Sequence, residues 1–159
     1  MADKNMPIGV MDSGLGGATV LSELIKVMPN EDFIYFGDSK NAPYGTKTVE
    51  RVRELTVSNA ERLFERGIKG LVIACNTATA AAAHCIRAVH RDVPIIGIEP
   101  AVKPAALAKE NPTVIVMATP LTLKQEKFMT LLHRYTDCAH IIPLPCPGLA
   151  DLIEGGDFD

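Results

Sequence analysis

Much that would mark a familiar class is missing from these 159 residues. There is no basic block, no hydrophobic run of transmembrane length, no closely spaced cysteine pair and no Gly-Lys-Ser/Thr. The 16 Lys and Arg are outnumbered by 19 Asp and Glu, so no cationic face for nucleic acid is expected. The longest small-residue patch, Ala80 to Ala83, is far short of the roughly 20 residues that span a bilayer. The opening MADKNMPIGV lacks a basic region followed by an apolar core, so the expected location is cytoplasmic. Cys75, Cys85, Cys138 and Cys146 match neither zinc-ligand spacing nor a disulfide scaffold, and His84, His90, His133 and His140 show no paired spacing. No metal site is expected, and most of the thiols are expected to be buried and inert.

What is present is a hydrophobic fraction of 47% beside 22% charged residues, enough for a core and too apolar for disorder. The length fits one domain, or one domain and part of another. Short apolar runs alternate with helix-compatible segments. Strands are expected at Ile8–Met11, Phe33–Phe36, Leu71–Ala74, Val93–Ile98, Thr113–Ala118 and His140–Leu144. Helices are expected at Gly17–Met28, from Thr48 to a stop at Gly67, from Cys75 through His90, from Pro104 to Lys109, over Leu121–Arg134, and from Pro147 onward. This alternation predicts an α/β fold with open parallel sheets covered by helices on both faces. A domain crossover is placed near Glu99–Lys103, dividing the chain into 1–98 and 99–159.

Ligands of open parallel sheets bind beyond the carboxyl ends of the strands. Those ends carry Asp12-Ser13, Asp38, Cys75-Asn76-Thr77, Glu99, Thr119 and Cys146. Each could merely cap a helix; their joint occurrence suggests a site. The turn DSGLGG lacks the lysine of a P-loop, and Thr19 replaces the third glycine of a dinucleotide fingerprint. Asp38 would suit a ribose, but Asp12 would repel a pyrophosphate. A carboxylate followed by a hydroxyl and free amides suits an amphoteric ligand such as an amino acid. Cys75 ends a strand and precedes a helix, where donors and the helix dipole are expected to lower its pKa. The plainer alternative is a buried cysteine with Thr77 as the cap. In SKNAPYGTK, the Pro43-Tyr44-Gly45 stretch is either an ordinary turn or a rigid flap at a pocket mouth. Cys146 between two prolines fits packing as well as chemistry, and Cys85 is expected in the core.

MDSGLGG, YFGDSKNAPYG, ACNTATA, GIEPA, ATPLT and PCPGLADLIE, running in this order between Ile8 and Glu154, closely resemble the glutamate racemases of the cofactor-independent aspartate/glutamate racemase superfamily. The resemblance implies two α/β domains with glutamate in the cleft between them. It implies interconversion of L- and D-glutamate by two thiols on opposite faces of Cα, supplying D-glutamate for peptidoglycan without pyridoxal phosphate or metal. By motif, Cys75 is the first catalytic thiol and Asp12 its acid–base helper. Ser13, Pro43, Tyr44, Gly45, Asn76 and Thr77 would line the glutamate site. Thr119 or Thr122 adds a contact, and the resemblance does not choose between them. Glu154 resembles an acid that assists on the opposite side.

The sequence departs from the family pattern in one major respect. The second catalytic cysteine belongs to a Gly-Cys-Thr-His segment, and no such segment occurs among the 159 residues. Cys146 matches the cysteine before the family's LxE helix, which is not the racemising thiol. The 159-residue chain alone is therefore expected to bind glutamate poorly and not to racemise it, as an N-terminal portion without the elements that complete the first domain. Asn41 also stands where arginine is common. The expected partner is a small molecule, with neither nucleic acid nor membrane; homodimerisation is left open. The alternatives are an aspartate racemase-like enzyme, a nucleotide-binding domain, or a non-catalytic binding module derived from the fold.

Overall fold

The computed structural model describes residues 4–156. The outermost residues of the two expected domains, 1–3 and 157–159, lie outside the described residues. Strands Ile8–Asp12 (β1), Phe33–Gly37 (β2), Gly70–Ile73 (β3) and Ile95–Gly97 (β4) form a parallel sheet in the order β2-β1-β3-β4. Thr113–Ala118 (β5) and His140–Pro145 (β6) pair in parallel as a second sheet. The helices are Gly17–Val27 (α1), Val49–Glu65 (α2), Asn76–Val89 (α3), Val102–Ala106 (α4), Pro120–Lys124 (α5), Glu126–His133 (α6) and Leu149–Gly155 (α7). The expected α/β class with parallel sheets is what is found.

Local chemistry accounts for the main elements. In α2, Val52, Leu55, Thr56, Asn59, Ala60 and Leu63 recur at helical spacing and are all buried. Thr48 caps this helix by accepting from Arg51 N at 3.2 Å. The alanines of α3 let it approach α2 closely, and Arg53 Nε reaches across to donate to Ala81 O at 3.1 Å. The main core lies between the first sheet and these two helices and includes Met11, Leu63, Leu71, Ile73 and Ile86. Val10, Val72 and Ala74 face the other way, toward Val20, Leu21 and Leu24 of α1. A smaller core joins Val102, Val116, Phe128 and Leu132 around the second sheet.

Several expectations need correction. The helix expected over Leu121–Arg134 is two helices, separated by an extended Gln125 (φ −73°, ψ 134°). The break lets α5 turn Thr122 toward Thr77 while α6 turns Phe128 and Leu132 into the smaller core. Helix α4 ends at Ala106 rather than Lys109, because one turn suffices to bury Val102 and Ala106 and Leu107 beyond it is exposed. Helix α7 starts at Leu149, after a left-handed Gly148, rather than at Pro147. Helices lie on both faces of the first sheet, α2 and α3 on one and α1 on the other, but the cover is incomplete among the described residues. Ile115 and Met117 on β5 and Ile96 on β4 are each 59% exposed, and a groove of about 740 Å³ opens between α1 and the β3–β4 side of the first sheet. Of the four thiols only Cys75 is buried; Cys85, Cys138 and Cys146 are half-buried, because their helix-surface and turn positions leave one side open. Among the described residues, no helix is long and apolar enough to cross a membrane.

Candidate functional site

The strand order places the site. From β1 the chain moves to β2 on one side, then returns to β3 on the other, so the order reverses between β1 and β3. The loops leaving these neighbouring strands diverge and open a crevice at their carboxyl ends. Asp12 ends β1, and Cys75 lies two residues beyond the end of β3. Two segments more than sixty positions apart in sequence thereby flank one crevice.

Cys75 is the N-cap of α3. Its backbone is extended (φ −108°, ψ 123°), and its Sγ accepts from Ala78 N at 3.4 Å. The cap is thus the thiol itself, not Thr77. The Ser13 side chain also acts on this sulfur, favouring the thiolate. These influences act as the sequence suggests, but the net shift runs the other way. Burial is the largest influence and pushes the thiol pKa up, and the nearby Asp12 carboxylate pushes it further; Ser13, Ala78 and Thr77 offset this only in part. Cys75 therefore rests as a neutral thiol, which corrects the expected lowering.

Asp12 is buried, and its Oδ2 accepts from Gly14 N at 3.0 Å, which ties the carboxylate to its own glycine turn. Tyr35 donates to Gly14 O at 2.9 Å. Its phenol is pushed up to about 12, first by burial and then by the negative charges of Asp12 and Glu154. Glu154 comes from α7, and its Oε1 and Oε2 accept from Leu15 N at 2.9 and 3.2 Å. A Cβ at Gly14 would meet this carboxylate and require Glu154 to shift. Glu154 thus lies on the glycine turn and takes the amide that a pyrophosphate would need.

Three hydroxyls gather beside the thiol. Thr77 Oγ1 lies 2.9 Å from Thr122 Oγ1 and 3.3 Å from Thr119 Oγ1, and the last two are 3.0 Å apart. Thr119 caps α5, accepting from Thr122 N at 3.2 Å. Both candidate threonines therefore reach Thr77, with Thr122 buried and Thr119 half-buried. Gly45 presses on the same point: a Cβ there would lie 2.5 Å from Thr119 Cγ2 and 2.6 Å from its Cβ. Asn76 contributes a buried Oδ1 with no hydrogen-bond partner among the described residues.

Behind the Pro43-Tyr44-Gly45 loop, Asp38 is enclosed. Tyr44 donates to its Oδ2 at 2.7 Å and Asn59 Nδ2 at 3.0 Å, while Asn41 Nδ2 spans both oxygens at 2.9 and 3.1 Å. Burial alone would push this carboxyl up; the Tyr44, Asn41 and Asn59 hydrogen bonds outweigh it and hold the pKa below its ordinary value. The Tyr44 phenol moves upward, chiefly by burial and then by its bond to Asp38. With its oxygens taken from within, Asp38 is not available to a ribose. Asn59 escaped the sequence reading, although a polar residue within the buried stripe of α2 was a usable signal. Tyr35, on an apolar strand, offered none. Cys146 sits at the end of β6, where its Sγ donates to Leu144 O at 3.5 Å. Cys85 contacts the ring of its neighbour His84.

The family described as Asp/Glu/Hydantoin racemase matches residues 8–155. A glutamate racemase of Clostridium perfringens is 56% identical over 156 residues, which make up 98% of this chain and 60% of that protein. The chain thus spans about three fifths of the length of the relatives it matches. Among solved structures, glutamate racemase from Francisella tularensis in complex with D-glutamate superposes with a TM-score of 0.82 at 31% identity, covering 98% of this chain and 58% of that one. Escherichia coli glutamate racemase in complex with L-glutamate and the activator UDP-MurNAc-ala gives a TM-score of 0.84 at 30% identity, covering 95% and 57%.

Proposed function

Because the chain belongs to the Asp/Glu/Hydantoin racemase family, we propose that it carries one wall of a glutamate racemase site, with Cys75 as the thiol that exchanges the Cα proton. The observation that carries this reading is the placement of a buried thiol, a carboxylate and a hydroxyl at the strand-order reversal: Cys75, Asp12 and Ser13. Residues 1–98 and 99–159 are read as belonging to two domains, with glutamate held between them.

The chemistry follows from the charges. A neutral Cys75 must first lose its proton, and Asp12 is the acceptor in reach of its electrostatic influence. The ammonium of an incoming glutamate brings positive charge, which favours thiolate. The thiolate then takes the Cα proton, and the electron pair of that bond remains on Cα, delocalised into the α-carboxylate. Fixed amide and hydroxyl donors at Ser13, Asn76, Thr77 and the Thr119–Thr122 pair stabilise the developing charge. The unpaired Asn76 Oδ1 gives a ligand N–H an acceptor, relieving a cost of about 1–3 kcal/mol. Pro43, Tyr44 and Gly45 form the side wall. Delivery of a proton to the opposite face needs a second acid–base group; the family scheme uses a second thiol, with Glu154 as an assisting acid. In this reading D-glutamate serves peptidoglycan synthesis in the cytoplasm.

Two measurements test the proposal. In the polypeptide that carries this sequence, Cys75→Ala is expected to abolish racemisation of L-glutamate followed by optical rotation; substantial residual turnover would mean another thiol acts. With the 159-residue chain, L- or D-glutamate at high concentration is expected to slow alkylation of Cys75 while Cys138 and Cys146 react as before. Unchanged alkylation of Cys75 counts against the reading.

A further inference from the structure

We infer that Asp38 and Asn59 are positioning residues that hold the Pro43–Gly45 loop as the side wall of the site, an inference that rests on the function proposed above. All three members of the cluster are deeply buried, with Tyr44 1%, Asn59 4% and Asp38 6% exposed. Asn59 Nδ2 donates both to Asp38 Oδ2 at 3.0 Å and to Tyr44 Oη at 3.1 Å, and Tyr44 closes the ring by donating to Asp38 at 2.7 Å. The cluster draws on three separate segments: the end of β2, the flap loop and the middle of α2. It is also anchored to the catalytic strand, because Asp38 N donates to Asp12 O at 3.0 Å.

Stability alone does not call for such a cluster. A buried carboxylate is commonly no more stabilising than apolar packing of the same volume. What hydrogen-bonded charge adds is direction: each donor is held at one angle and one distance. Here the donors held are Tyr44 and Asn41, which bracket Pro43. Fixing Tyr44 fixes Gly45, which sits on Thr119 without room for a methyl group. Thr119 in turn meets Thr77, the second residue after Cys75. Tyr44 and Cys75 also belong to the same buried cluster. A contiguous path therefore runs from α2 to the thiol, and loosening its far end should uncover Cys75 and blur the wall.

The test uses Asn59→Leu, which keeps bulk and removes the donors, and Asp38→Asn as a second, milder variant that keeps an acceptor for Tyr44. Thr56→Val is the control: it lies on the same buried stripe of α2, but its hydroxyl bonds only Val52 O, at 2.7 Å. In the ligand-free chain, peptide-resolved iodoacetamide labelling of Cys75 is expected to be several-fold faster in Asn59→Leu and moderately faster in Asp38→Asn. In Thr56→Val it should match the starting protein, even where its Tm falls comparably. Equal labelling in Asn59→Leu and the starting protein overturns the inference, and so does equal acceleration in Thr56→Val. Protection of Cys75 by L-glutamate is read separately. Its absence in the starting protein defeats the proposed substrate, while the ligand-free comparison still decides the positioning role.

Discussion

At Cys75 two opposing influences meet on one atom, and their balance can be measured. Burial and the Asp12 charge favour the thiol, while Ser13 and the α3 amides favour the thiolate. Alkylation of Cys75 should therefore rise with pH to a midpoint above the ordinary thiol value of 9.0. Asp12→Asn removes a nearby negative charge and should move that midpoint down; Ser13→Ala removes a side chain that favours the thiolate and should move it up. Shifts of the opposite sign would mean that the Asp12–Ser13–Cys75 arrangement is wrong. The same balance has a stability consequence. A group whose folded pKa is raised contributes stability that is fully present below its unfolded value and lost as pH rises through the folded value. The Cys75 contribution should accordingly persist at neutral pH and fade under alkaline conditions. At this scale the sequence was informative where the chemistry is local. Cys75 at a strand–helix junction and Asp12 ahead of a glycine turn were both legible. The direction of the Cys75 shift was not, because burial depends on what α2, the flap and the second sheet bring to it.

Among the elements, the flap shows how a loop gains a fixed position without regular structure. Gly45 allows close approach to Thr119, so Gly45→Ala should push the flap away from α5. The expected cost is about 1–3 kcal/mol in chemical denaturation, as for other overpacked contacts, together with weaker glutamate protection of Cys75. Thr119→Ser in the same chain removes the methyl group Cγ2 and keeps the α5 cap, and should restore part of the loss. No recovery would place the strain elsewhere. Helix boundaries follow the same logic. The caps at Thr48 and Thr119 could be read locally, since Ser and Thr hydroxyls satisfy free amides of the first turn. The break at Gln125 could not, because nothing in LTLKQEKFMTLL opposes a continuous helix. It exists because Thr122 and Phe128 are buried against different partners.

For the whole molecule, the exposed apolar faces carry the clearest prediction. Ile115 and Met117 of β5 and Ile142 and Leu144 of β6 present a contiguous hydrophobic strip. Met117→Lys should lower the fluorescence of a bound hydrophobic dye such as ANS, while leaving stability within about 0.5 kcal/mol. Leu132→Ala, in the core beneath the same sheet, should cost about 2 kcal/mol or more by thermal denaturation. A large destabilisation from Met117→Lys would mean that the strip is covered within the molecule. By itself the sequence determined the α/β class, the alternation of parallel strands and helices, and the residue types at the strand ends, because periodicity, capping and glycine turns act over a few residues. Only the tertiary structure decided the strand order β2-β1-β3-β4 that sets Asp12 beside Cys75, the enclosure of Asp38 by Tyr44 and Asn59, and the arrival of Glu154 on the glycine turn. The hydrogen bond from Asn59 to Asp38 joins residues 21 positions apart, and those from Leu15 to the Glu154 carboxylate join residues 139 apart. Bonds across such separations form only after the core has set the paths of the elements that carry them.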